Sequence, residues 1–224
     1  MIAAIIVFIT ALVLTSADLA IGSQSLFLVS LYDTLGPDAA EYIINNAELP
    51  IVACSINNIP KLLKFASNTP SLKAIICFDA LYHGEPSTKS KSSMLNDIAA
   101  QYGIKIYGID EVESIGEQCG ITVGPPAWDD VRCISYTSGT TGPPKGVVLT
   151  QGNCVAAING ARIQGAVHPK DVHLSYLPLA HIYGLMIDQI ALVSGAAVGV
   201  FHGDVLGLVE DLNILKPTGF FFCP

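Results

Sequence analysis

From Ser25 to its end the chain alternates short β-branched and apolar runs with stretches whose apolar positions recur every three to four residues. Strands separated by helices of about 10 to 15 residues pair in parallel, with the helices laid across the sheet faces. In the first half, "SLFLVSLY" (Ser25 to Tyr32), "IVACS", "LKAIICF" and "IKIYG" read as strands. "LKAIICF" is apolar throughout, as strands covered on both faces tend to be. Between them, Gly36 and Pro37 open a helix carried by Ala40, Ile43, Ile44 and Ala47. A second helix has Asn57 or Asn58 as its cap, Pro60 in its first turn, and an apolar set of Leu62, Leu63 and Ala66. The polar run His83 to Ser93 has no period and reads as a surface loop; a helix from Met94 to Tyr102 and an acidic helix from Asp110 to Gln118 follow. Gly124, Pro125 and Pro126 interrupt regular structure and mark a boundary. Beyond it, "VRCISYT", "GVVLT", "HLSYLP", "AAVGVF" and "GFFFC" read as strands, with helices from about Gly152, over Ile182 to Ser194, and over Val205 to Leu215. The expected class is α/β, built mainly of parallel, helix-covered sheets.

Composition limits what such a fold can do. Of 224 residues, 51% are hydrophobic, ample for a buried core. Only 13% are charged, about half the usual share of roughly 25%, so part of the surface meets a membrane or is covered by other protein. The net charge of −8 provides no basic stripe for a phosphate backbone, which excludes nucleic acid as a partner. Six scattered cysteines, with no C-x-x-C pair and no histidine pair at ligand spacing, read as reduced thiols buried as small hydrophobes, and no metal site is expected. "MIAAIIVFITALVL" is apolar except for Thr10, too short to span a membrane and without a positive start. It reads as a buried helix or strand, as a membrane-associating or signal-anchor segment, or as a stretch without regular structure. As an exposed or loosely packed helix, it would be expected to raise soluble yield on deletion.

The chemistry is concentrated in "YTSGTTGPPKGVVLT", Tyr136 to Thr150. Gly139, Gly142 and Gly146 permit positive φ and close approach of a ligand. Successive N–H groups in such a turn form an anion-binding concavity, to which Thr137, Ser138, Thr140 and Thr141 add hydroxyl donors and Lys145 a point charge. Pro143 and Pro144 stiffen the turn. The spacing suits phosphate, yet it is not the kinase and GTPase loop: Pro144 precedes the lysine, Gly146 follows it, and the turn joins two strands.

"YTSGTTGPPKG" resembles the phosphate-binding signature of the AMP-forming, adenylating synthetases. The flanking "SLYDTLGPDAAEYIINNAE", "YLPLAHIYG", "GAAVGVFHGD" and "EDLNILKPT" are similar to the long-chain fatty acyl-CoA synthetase branch. The resemblance covers residues 15–224 and leaves residues 1–14 outside the pattern. It implies part of the large N-terminal domain of that fold, without its C-terminal part and small C-terminal domain. It implies ATP and Mg2+, with fatty acid and coenzyme A as further substrates: a fatty carboxylate attacks the α-phosphorus, pyrophosphate leaves, and coenzyme A displaces AMP. Thr137, Ser138, Gly139, Thr140, Thr141, Gly142 and Lys145 would hold the β- and γ-phosphates, His181 would be catalytic beside the carboxylate, and Tyr183 would shape the acyl pocket. Gln151 departs from the pattern, where relatives commonly carry histidine. The resemblance places such an enzyme in the cytosol or on the cytoplasmic face of the endoplasmic reticulum or peroxisome, with peripheral membrane association. The expected function is a truncated fatty acid–CoA ligase, inactive alone, the alternative being a non-catalytic nucleotide-binding or interaction module that pairs with a separately encoded remainder.

Overall fold

The computed structural model describes residues 6–8, 11–31, 39–79, 81, 91–137 and 142–222. Strands β1 (Ile6–Phe8), β3 (Ile51–Cys54), β4 (Ala74–Cys77) and β5 (Lys105–Gly108) form one wholly parallel sheet in that order. Helices α2 (Ala39–Asn46), α3 (Ile59–Lys64) and α4 (Lys91–Gln101) bury Ile43, Ile44, Leu62, Leu63 and Ala99 with Val52 and Ile75 of that sheet in one core cluster. The three-to-four spacing of apolar residues is thus spent on one face of each helix.

A second sheet holds β2 (Leu28–Ser30), β6 (Val131–Thr137) and β7 (Lys145–Thr150), with β2 parallel and β7 antiparallel to β6. Because β2 comes from the first half of the sequence, the Gly124–Pro126 break does not divide the sheets. Gly124 is instead tied back to the start of β2: its N–H donates to the Ser23 carbonyl (3.0 Å), and its carbonyl accepts from Ser25 Oγ (2.7 Å). A third, parallel pair is β8 (Val172–Ser175) with β9 (Ala197–Val200), joined by α7 (Ile182–Val193).

Four expectations need correction. The apolar N-terminus is not an exposed helix: β1 pairs with β3, and α1 (Ala11–Gly22) buries Leu14 to 1% exposure in a cluster with Ile21, Leu28, Ala53 and Cys133. That cluster draws on both sheets, so the apolar run fills the seam between them. "GFFFC" supplies a single bridge, Gly219 to His173, and no strand among the described residues. Aromatic packing takes the place of a ladder, with Phe220 stacked on Tyr176 (4.7 Å) and the Phe221 ring edge-on to His173 (5.5 Å). Helix α4 begins at Lys91, before Met94; Ser92 is buried and its carbonyl accepts from Asn96 Nδ2, so polarity concealed a first turn. Cys54, Cys77, Cys133 and Cys154 are buried as expected, but Cys119, at the end of α5 (Ile109–Cys119), is exposed. Cys223 and most of the His83–Ser93 loop lie outside the described residues. Among the described residues no helix is long and apolar enough to cross a membrane.

Helix α8 (Leu208–Leu215) is held at the surface by Asp211, whose Oδ2 lies 2.8 Å from His202 Nδ1 and accepts from His202 N at 3.1 Å. The hydrogen bond to Asp211 raises the His202 pKa above its ordinary value, and the same bond lowers that of Asp211. The imidazolium contribution is therefore fully present below the ordinary histidine range and is lost as pH rises through the raised value; the Asp211 contribution is lost as pH falls through its lowered one. Amide protection of α8, corrected for intrinsic exchange, is expected to fall as pH is raised above the ordinary imidazole range, and to lose that dependence in His202→Gln.

Candidate functional site

The glycine-rich stretch is a β-hairpin connection. Thr137 ends β6, Lys145 begins β7, and the two stand directly opposite each other in the ladder. Both are exposed. Thr137 Oγ1 reaches the Lys145 carbonyl only at 3.5 Å, a weak contact. Ser138, Gly139, Thr140 and Thr141 lie outside the described residues. Gly142 has φ of +93°, the left-handed region that its sequence position suggested.

One residue before Thr137, Tyr136 is buried and donates from its hydroxyl to Asn46 Oδ1 (2.6 Å), anchoring the loop's entry to the last residue of α2. Opposite it lies Gly146, whose reading as a positive-φ residue is corrected: it has no positive φ. It is small because a Cβ there would stand 2.8 Å from Ile134 Cγ2 and 3.1 Å from Tyr136 Cζ. Gly146→Ala should overpack this face, displace the Tyr136 ring, and cost about 1 to 3 kcal/mol in chemical denaturation.

At the far end of β7, Thr150 caps α6 (Gln151–Ile163) in a reciprocal box: Asn153 N donates to Thr150 Oγ1 (3.2 Å), and Thr150 N donates to Asn153 Oδ1 (3.0 Å). Gln151 is the first residue of that helix.

His181 and Tyr183 sit together at the start of α7. His181 is the N-cap, exposed, and its Nδ1 accepts from Tyr183 N at 3.4 Å, which leaves the ring proton on Nε2. The Tyr183 hydroxyl donates to the Phe222 carbonyl (3.4 Å). Close approach of Gly184 to the preceding turn, where a Cβ would meet the Pro178 carbonyl at 2.9 Å, holds this corner tight. Leu179 and Leu185 flank it and pack in the same cluster as Cys133 of β6. The hairpin and the His181 corner thus share one core.

A buried carboxylate ties the same elements. Asp18 of α1 is fully buried and is ion-paired with Arg132 of β6; its Oδ2 also accepts from Gln189 Nε2 of α7 (2.7 Å). One residue therefore links the strand that leads into the loop with the helix that begins at His181. Burial raises the Asp18 pKa, outweighing the opposing pull of Arg132 and Gln189. A second buried group, His173, Ser175 and Asp188, carries the residue types of a hydrolytic triad. Ser175 Oγ donates to Asp188 Oδ2 (2.7 Å), and His173 Nε2 lies 2.9 Å from Asp188 Oδ1. The serine is bonded to the carboxylate and not to the imidazole, so nothing there activates a nucleophile, and the group fastens β8 to α7. No sequence motif announced either network. Among the described residues no three His, Cys, Asp or Glu side chains could hold a metal ion. An apolar cavity of about 540 Å³ between α1, α5 and the four-stranded sheet is lined, among the described residues, by none of the loop residues, nor by His181 or Tyr183.

The AMP-binding enzyme family model matches residues 6–224, a span that takes in β1 and α1. Acyl-CoA ligase 891, peroxisomal, of Penicillium brevicompactum is 49% identical over 207 residues, covering 92% of this chain and 29% of that protein. Long chain acyl-CoA synthetase 7, peroxisomal, of Arabidopsis thaliana is 37% identical over the same share of this chain and 28% of its own length. The chain thus spans under a third of these curated relatives. The A-PCP didomain of carboxylic acid reductase from Segniliparus rugosus, solved in complex with AMP, superposes with a TM-score of 0.83 at 23% identity, over 100% of this chain and 32% of that one. At that identity the likeness shows the fold alone. With the family model matching from β1 to the last residue, over a mainly parallel α/β fold that carries the glycine-rich hairpin, the chain belongs to the AMP-binding enzyme family.

Proposed function

We propose that the hairpin between β6 and β7 binds the β- and γ-phosphates of ATP in the fatty acid–CoA ligase reaction. The observation that carries this is the placement of Thr137 and Lys145 opposite each other at the two ends of one loop, with Gly142 at positive φ between them. A donor-rich turn closed by a lysine meets a polyanion from both sides. In this reading the backbone and hydroxyls of Thr137, Ser138, Gly139, Thr140, Thr141 and Gly142 surround the departing pyrophosphate, and Lys145 neutralises it as the bond to the α-phosphorus breaks. His181, with its proton on Nε2, donates toward the attacking carboxylate or the α-phosphate oxygens, and Tyr183 borders the acyl chain. Coenzyme A would then displace AMP from the acyl-adenylate. Mg2+ is implied by the family resemblance, and the described side chains offer no cluster of His, Cys, Asp or Glu to hold it.

The 49% and 37% identical relatives, named as an acyl-CoA ligase and a long-chain acyl-CoA synthetase, support a fatty acid as substrate, and their peroxisomal names support a peroxisomal setting. The 224 residues by themselves are proposed to bind triphosphate without turnover, because the resemblance places the adenine and ribose contacts outside them. Binding energy from the nucleoside end is then unavailable to align the reacting atoms. Calorimetric titration should give weak ATP·Mg2+ binding that Lys145→Ala weakens by about 1.5 to 3 kcal/mol. Binding unaffected by Lys145→Ala would remove the proposal's basis. Pyrophosphate exchange with palmitate should be absent; robust exchange would contradict the inactivity.

A further inference from the structure

We propose that Asn46 is a positioning residue for the hairpin between β6 and β7: through its hydrogen bond to Tyr136 it sets Thr137 and Lys145, before any ligand arrives, in the arrangement that a triphosphate meets. On the reading of the hairpin as the β- and γ-phosphate site, on which this rests, a residue of the first half of the chain thereby governs affinity without touching the ligand.

Little else holds the hairpin at its open end. Tyr136 is the last buried residue of β6 before the loop, whereas Lys145, Gly146, Val147 and Val148, the first four residues of β7, are all exposed. Tyr136 and Gly146 are partners in the ladder, one rung inside Thr137 and Lys145. A Cβ on Gly146 would stand 3.1 Å from Tyr136 Cζ, so the ring lies against the strand that carries Lys145. Glycine offers no side chain to stop that ring from sliding. The hydroxyl does, because it donates to Asn46 Oδ1 at 2.6 Å and so fixes the far end of the ring. Burial, with Tyr42 nearby, raises the Tyr136 pKa, and the hydroxyl keeps the proton that it donates.

Asn46 is itself well placed to hold a partner still. It is the last residue of α2, whose Ile43 and Ile44 are wholly buried. The chain turns directly after it: Ala47 N and Leu49 N donate to the Ile43 and Ile44 carbonyls (3.0 and 2.9 Å), Glu48 takes φ of +50°, and Leu49 enters the same core cluster as Tyr136. Beside it, Asn45 Nδ2 donates to the Asn68 carbonyl (3.0 Å), and Asn68 Nδ2 donates to Glu41 Oε1 (3.0 Å), which ties α2 to the short helix Ala66–Asn68. A loop set in place from such a support loses less conformational freedom when ligand binds, and the saving appears as affinity. Asn46 is exposed, so replacing it opens no cavity in the core.

The test compares the native chain with Tyr136→Phe, which keeps the ring against Gly146, with Asn46→Ala, and with Asn46→Asp, which keeps an acceptor. In the ligand-free proteins, backbone amide order parameters of residues 142–147 should fall in Tyr136→Phe and Asn46→Ala and return to the native values in Asn46→Asp, while those of β3 and β4 stay unchanged. Affinity for ATP·Mg2+ should drop about 3- to 10-fold in Tyr136→Phe and in Asn46→Ala. The fold-loss caused by Lys145→Ala should be smaller in the Tyr136→Phe background than in the native chain, a coupling that a general loss of stability does not produce. Unchanged order parameters in both Tyr136→Phe and Asn46→Ala, or losses for Tyr136→Phe and Lys145→Ala that simply multiply, overturn the proposal. Absence of ATP binding by the native chain would instead remove the phosphate reading, and the ligand-free order parameters would still decide whether Asn46 positions the hairpin.

Discussion

Arg132→Met should destabilise the chain by about 3 to 5 kcal/mol at neutral pH, because it leaves a carboxylate buried without its counter-charge. Asp18 is inaccessible and would keep only the amide of Gln189 as a partner. Its pKa is already raised by burial despite Arg132, so the folded chain holds that proton more tightly than the unfolded chain does. For an acid shifted in this direction, stability is lost as pH rises from the ordinary aspartate range through the raised value. Removing Arg132 deletes the strongest opposing influence and enlarges that loss. The deficit of the variant should therefore be largest at neutral pH and shrink on acidification. Asp18→Asn in the Arg132→Met background should recover most of it, since the charge is gone while a hydrogen-bonding group remains. Urea denaturation of the unsubstituted chain, Arg132→Met and the double variant across pH measures this; a pH-independent deficit would mean that packing of the Arg132 stem, and not the charge, is what matters. A consequence for function follows from position, since the same network sets β6 against α7 and so the loop against His181.

Deleting residues 1–14 should lower stability and soluble yield, the reverse of what the apolar sequence alone suggests. The deletion strips β1 from the edge of β3, where Ile6, Val7 and Phe8 register with Val52, Ala53 and Cys54. It also removes Leu14 from the seam between the two sheets. Leu14→Ala alone should cost about 2 to 5 kcal/mol by transfer and cavity terms, and the deletion more. Equal or higher soluble yield of the deleted chain, with an unchanged denaturation midpoint, would mean that this segment does not pack as described.

The parts of the fold that were legible in the sequence are those fixed locally. Ile43 and Ile44 announced the buried face of α2, and Pro60 its neighbour α3, because period and backbone restriction act within one turn. The hairpin was legible for the same reason, since its glycines, hydroxyls and lysine lie within one stretch of chain. The apolar N-terminus was not: a run of fourteen residues that is apolar except for Thr10 has no period, and only the free edge of β3 decides that Ile6–Phe8 is extended. "GFFFC" was misread because a β-rich composition shows that a segment can pair and not that an edge awaits it; Phe220 and Phe221 found aromatic partners instead. Gly146 was assigned the right importance for the wrong cause, as nothing local reveals that the Tyr136 ring lies against it. Asp18, Arg132 and Gln189 come from three distant segments and meet only in the folded core.

The central claim is that the β6–β7 hairpin grips a triphosphate, and it is tested most directly by following backbone amide resonances of residues 136–147 while ATP·Mg2+ is added. The account predicts saturable shifts concentrated between Thr137 and Gly146, weaker or absent shifts with AMP, which lacks the β- and γ-phosphates, and loss of the response in Lys145→Ala. Shifts centred elsewhere, or a response in the hairpin that is equal for AMP and ATP and untouched by Lys145→Ala, would contradict it.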